Sequence, residues 1–155
     1  MYCPLGYDSN MRSCCQPGMP VNPKVLGLIM EAMKDERHDR MKYKMMMDAA
    51  RSEKVRDQIR FAYEDEGKHY EMFKKLYYQL TGKTVDVPTP EVERYNSFLD
   101  AIESSINGEL DAVELYRDIR AMLPTREMRD IMYEIITDEQ EHATRFVYLY
   151  SIMEK

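Results

Sequence analysis

Six residues of this chain have types and spacings that could hold metal. Glu66 and His69 are three apart, and so are Glu139 and His142. On an α-helix that spacing puts both side chains on one face, where a carboxylate oxygen and an imidazole nitrogen can reach one ion. Glu36 and Glu109 each lie 30 residues before the Glu of one such pair. In a helical hairpin, 30 residues down and back bring each upstream Glu level with its Glu-x-x-His. The sum is four carboxylates and two imidazoles in one layer, with two glutamates bridging or flanking two ions. Buried carboxylates repel one another and lose hydration, and two divalent ions would balance four of them. Mixed oxygen and nitrogen donors suit iron or manganese, with zinc possible, whereas magnesium disfavours imidazole.

A lone Glu-x-x-His is weak, because such pairs are frequent on solvated helix faces. Here two of the chain's three histidines stand in matching Asp-Glu-x-x-His contexts. Setting the chain against itself at an offset of 73 residues aligns Glu36 with Glu109, Tyr43 with Tyr116 and Ser52 with Thr125. Arg56-Asp57 then meets Arg129-Asp130, Asp65-Glu66 meets Asp138-Glu139, His69 meets His142, Phe73 meets Phe146, and Leu76-Tyr77 meets Leu149-Tyr150, without a gap. An internal repeat of this kind reads as two copies of one helical hairpin.

The elements that must position these residues are legible from caps and breakers. Residues 1–21 carry Pro4, Gly6, Pro17, Gly18 and Pro20 and read as an irregular tail. Asn22-Pro23 starts a helix that runs to about Ala50, with Val25, Leu28, Ile29, Ala32, Met33 and Glu36 on one stripe. Ser52 caps a second helix to about Leu80, stopped by Thr81-Gly82. Pro88 and Pro90 mark a connection. A third helix spans Ser97 to about Leu123, with Pro90 an alternative start, and Thr125 caps a fourth that runs almost to Lys155. The predicted fold is all-α, a four-helix bundle over residues 22–155. If a two-fold axis relates the hairpins, helices two and three run parallel. Their link must then cross about 40 Å at helical rise. The 16 residues from Leu80 to Asn96 can extend to ~50 Å.

With these residues, the chain resembles the ferritin-like di-iron carboxylate superfamily, and rubrerythrin-type proteins in particular. The resemblance covers about Asn22 to Glu154. It implies that Glu36, Glu66, His69, Glu109, Glu139 and His142 are ligands to two iron ions in a ferritin-like bundle with a long crossover. It also implies that Asp65 accepts a hydrogen bond from His142, and Asp138 from His69, fixing each imidazole. Tyr43 and Tyr116 lie two turns beyond Glu36 and Glu109 on the same face, placed to hydrogen-bond a ligand carboxylate, to relay a proton or electron, or simply to fill the core. The chain departs from rubrerythrins in lacking a rubredoxin domain, so electrons must come from an external donor protein or small reductant. Where rubrerythrins carry an additional Glu three residues after the third-helix ligand, this chain has Ala112. Asp39 holds the equivalent place after Glu36 and is a possible extra ligand. His38, two residues from Glu36, is expected on the surface.

Composition narrows the rest. Apolar residues at 44% and charged residues at 32% are ordinary for a soluble globular protein. No apolar run is long enough to span a bilayer and no signal peptide is read, so a cytoplasmic protein without a membrane partner is expected. The net charge of −6 and the lack of a basic block disfavour nucleic acid. Cys3, Cys14 and Cys15 are odd in number and lack paired C-x-x-C spacing, which argues against a disulfide framework or zinc site. The 14 methionines read mainly as pliable core. The expected function is an oxidoreductase reducing peroxide or dioxygen, and the expected assembly is a homodimer. Non-enzymatic iron storage or delivery, and a metal-stabilised structural or interaction bundle, stand as alternatives.

Overall fold

A computed structural model of the chain describes residues 21–153. They form α1 (Pro23–Ala49), α2 (Glu53–Thr81), α3 (Phe98–Met122) and α4 (Arg126–Met153), and no strand is present among the described residues. The cysteines and nearly all of the expected tail lie outside the described residues.

Each helix begins where a side chain can satisfy an orphan backbone N–H. The Asn22 side chain accepts from Lys24 N at 3.0 Å and Ser52 from Val55 N at 3.2 Å. Ser97 accepts from Asp100 N at 3.0 Å and Thr125 from Met128 N at 3.2 Å. Gly82 stops α2 with φ 69°, a left-handed conformation that costs glycine little. The repeated arginines close the two short links alike. Arg56 donates to the Ala50 carbonyl at 3.0 Å, and Arg129 to the Leu123 carbonyl at 2.8 Å.

Helix α1 packs on α2 and α3 on α4, while α1 also meets α3 and α2 meets α4. Across α1 and α3, Tyr43 reaches Glu109 and Tyr116 reaches Glu36. Across α2 and α4, His69 reaches Asp138 and His142 reaches Asp65. Rising numbers on one helix meet falling numbers on the other, so these neighbours are antiparallel. The diagonal pair α2 and α3 is therefore parallel, and residues 83–97 run the length of the bundle between them.

That crossover is fastened to α1 and α2. Val87 is buried in the core, with its carbonyl held by Arg37 and its N–H donating to the Tyr70 hydroxyl at 3.5 Å. His38 sits between Asp39 Oδ1 at 2.9 Å and Glu93 Oε2 at 2.8 Å. His38 lies outside the candidate cluster, as expected, and its side chain is 22% exposed because the crossover lies partly over it. The hydrogen bond to Asp39 is the main influence raising the His38 pKa, to about 9, with Glu93 assisting and burial opposing. The resulting stabilisation is complete below pH ~6.5, where the unfolded His is also charged, and is lost as pH rises through the folded value. Screened by solvent, it amounts to about 1 kcal/mol. Urea unfolding at pH 6 and 10 should show a wild-type loss of that size which His38→Gln lacks. Parallel curves for the two proteins would remove the clasp.

Two apolar clusters fill the bundle. One gathers Ile29, Met33, Phe73, Leu76, Tyr116, Ile119, Met132 and Ile135, and the other Tyr43, Met46, Ile59, Ile102, Phe146 and Leu149. On every helix the polar candidate residues fall between these two sets. The duplication is visible in the packing: Phe73 stacks edge-on with Tyr116 at 5.1 Å, and Tyr43 meets Phe146 at 5.0 Å.

Candidate metal centre

The slice between the two apolar clusters receives Glu36 from α1, Glu66 and His69 from α2, Glu109 from α3, and Glu139 and His142 from α4. None is more than 2% exposed. The side chains converge in two groups, Glu36, Glu66, His69 and Glu139, and Glu66, Glu109, Glu139 and His142, with donor atoms within 4.8 Å of one another in each. Glu66 and Glu139 belong to both. Each group draws three residues from one hairpin and the shared Glu from the other.

The donor atoms are arranged as a cation would require. His69 Nδ1 lies 3.2 Å from Glu66 Oε2, 3.0 Å from Glu139 Oε1 and 3.4 Å from Glu36 Oε2. A ring nitrogen carries one proton at most, so it cannot serve three acceptors. Glu36 Oε2, Glu66 Oε1 and Glu139 Oε1 are indeed buried without a hydrogen-bond partner. Leaving buried carboxylate oxygens unpaired is costly, and a divalent ion in each group would engage them. His142 Nδ1 faces Glu139 Oε2 at 3.0 Å, Glu66 Oε1 at 3.5 Å and Glu109 Oε2 at 3.6 Å in the same way.

The far side of each ring is held crosswise. His69 Nε2 lies 3.2 Å from Asp138 Oδ2, and His142 Nε2 lies 3.2 Å from Asp65 Oδ2. Donation from His142, with help from Lys68, outweighs burial and keeps the Asp65 carboxyl well below the usual carboxylate range. An ionised Asp only accepts, so Nε2 carries a proton, and Nδ1 is the nitrogen that would present a lone pair to an ion at the centre after giving up its own proton. Asp138→Ala should lower metal affinity 10- to 100-fold, read by competition with a chromogenic chelator. An unchanged affinity would show that the Asp contact orients nothing.

The tyrosines also reach across. Tyr43 donates to Glu109 Oε1 at 2.5 Å, and Tyr116 donates to Glu36 Oε1. Burial, reinforced by the partner carboxylate, raises both phenol pKa values well above the ordinary range, so both stay protonated donors. Burial first, then Glu139, Glu36 and Glu109, raises Glu66. Burial and Glu139 likewise raise Glu109 to about 7. Burial disfavours charge on His69 and His142, but hydrogen bonds to the Asp and Glu carboxylates more than reverse this and raise both.

Asp39, the possible extra ligand, joins neither group. Its carboxylate pairs instead with the neighbouring His38 at 2.9 Å. Two residues near the site carried no sequence signal. Lys42 is only 3% exposed; it donates to Ser104 Oγ at 3.2 Å and lies 5.1 Å from the Tyr95 ring centre. Arg40 covers Gly67. In one-dimensional spacing both read as ordinary solvated cations.

No protein-family model matches the chain. The chain is similar to the uncharacterized protein YhjR of Bacillus subtilis (strain 168), being 27% identical over 106 residues. That stretch covers 68% of this chain and 72% of YhjR. Among the described residues, no helix is long and apolar enough to cross a membrane.

Proposed function

We propose that the chain is a di-iron oxidoreductase of the ferritin-like, rubrerythrin-like kind, reducing peroxide or dioxygen with electrons from an external donor. The observation that supports it is the pair of four-residue groups sharing Glu66 and Glu139. In this reading Glu36, Glu66, His69 and Glu139 hold one ion, and Glu66, Glu109, Glu139 and His142 hold the other. Oxygen and nitrogen donors of this mixture suit iron, and also manganese or zinc. Two ferrous ions held there would supply the two electrons that, with two protons, take hydrogen peroxide to two waters or dioxygen to hydrogen peroxide. Tyr43 and Tyr116 steady the terminal carboxylates, and Asp65 and Asp138 fix the rings. The apolar clusters on both sides exclude bulk water.

Anaerobic titration of metal-free protein with ferrous iron tests the reading. Two tight ions per chain are expected, followed by stoichiometric ferrous oxidation on adding peroxide or oxygen. His38→Ala should bind both ions as well. Fewer than two ions would remove the dinuclear centre. Two ions inert to both oxidants would leave a binding protein rather than an enzyme.

A further inference from the structure

The two hairpins repeat one another around the metal layer but not on their outer faces. Between α1 and α2 a groove of about 370 Å³ has Glu36 and Glu66 in its lining, together with Arg37, Arg40, Tyr63 and Tyr70. At the offset of 73 residues these last four become Leu110, Val113, Ile136 and Ala143. The matching groove between α3 and α4 is lined by Ile106, Leu110, Gln140, Ala143, Thr144 and Val147, without a charged residue. Gly67 corresponds to Gln140. A Cβ on Gly67 would come within 2.8 Å of the Arg40 guanidinium. The missing side chain therefore lets Arg40 lie across the groove, 5.0 Å from the Tyr63 ring centre.

We propose that the α1–α2 groove is a binding site for a small organic carboxylate beside the metal pair, with Arg40 as its anion-binding residue. The proposal rests on the dinuclear reading for the charge at the groove floor, where two divalent ions offset the four carboxylates. The remaining charges in the lining are Arg37, Arg40 and Lys44 against Glu71, a positive excess. Arg37 is occupied by Val87 and Asp86, and Lys44 by Asp48. Arg40 has a cation–π contact but no ion pair among the described residues. A guanidinium in that state offers a planar fork to a carboxylate. Met41, Tyr63 and Tyr70 supply apolar walls for the body of the ligand. The volume is several times the ~30 Å³ share of a water molecule, so the groove exceeds what peroxide or dioxygen needs and lies within the range of small-molecule sites.

Benzoate is a suitable probe, titrated by NMR into the zinc-loaded chain, whose redox-inert metal prevents turnover. Zinc content is measured in the same samples. Wild type should bind benzoate saturably. Arg40→Gln should weaken it at least tenfold while keeping two zinc ions. Gly67→Gln, which copies the other hairpin, should do the same by filling the groove. Val147→Gln, on the α3–α4 face, should bind benzoate as wild type does. Two zinc ions without saturable benzoate binding, or equal affinity in Arg40→Gln, would overturn the groove proposal alone. A chain that takes up no zinc pair overturns the dinuclear reading instead, and with it the charge balance on which this site depends.

Discussion

Glu66→Gln is expected to take the chain from two bound ions to one or none while leaving the metal-free fold as stable as before, to within about 1 kcal/mol. The two halves of this result have separate causes. In the metal-free chain burial, and then Glu139, Glu36 and Glu109, push the Glu66 carboxyl toward its neutral form. Glutamine has the same shape and no charge, so little changes. With metal present, Glu66 is one of two carboxylates common to both groups, and an amide is a poor replacement for a shared anionic donor. An ion supplied at 100 times its dissociation constant stabilises the folded state by about 2.7 kcal/mol. The variant should therefore lose at least that much of the gain that metal gives wild type. Thermal unfolding with and without zinc, alongside a metal count, measures both halves. Glu64→Gln, on the exposed side of the same helix, should match wild type throughout. Two ions and full stabilisation in Glu66→Gln would strike Glu66 from the ligand set.

Metal affinity should also climb steeply with pH. Ions held at this centre would be bound through carboxylates and neutral imidazoles, yet the metal-free chain favours protons at these groups. Glu109 is raised to about 7, and Glu66, His69 and His142 are all raised. A raised value means that acid favours the metal-free state, so binding must expel protons. If at least two leave as both ions enter, the product of the two association constants rises about 100-fold for each pH unit. From pH 6 to pH 8 that is about 10⁴-fold. Calorimetric titrations in two buffers of different ionisation enthalpy would count the protons directly. An affinity flat across this range would show that the ions bind elsewhere.

Much of the architecture was legible because it depends on local chemistry. Asn22, Ser52, Ser97 and Thr125 cap the helices that begin at the very next residue. The gap-free offset between hairpins was enough to place six candidate side chains at one level, and the structure brings them together between the apolar clusters. The crosswise Asp–His contacts, implied by resemblance, are seen at 3.2 Å on both sides. What escaped depends on where irregular chain runs. Residues 83–97 have no periodicity, so nothing in the spacing revealed that Glu93 would meet His38, whose other ring nitrogen pairs with Asp39. Lys42 is buried for the same reason, under Tyr95. Arg40 and Gly67 lie on different helices, and their contact exists only once α1 and α2 are packed.

Each metal group borrows its fourth member from the opposite hairpin, so neither hairpin alone contains a complete set. Two separate hairpins could build the same centre only by meeting as a pair, and their occupancy would then depend on dilution. The tether between α2 and α3 replaces that encounter with an effective concentration in the millimolar range. It also lifts a constraint. A symmetric pair of identical chains must present the same surface twice. Once joined, one half could keep an arginine over a glycine while its twin kept valine and glutamine.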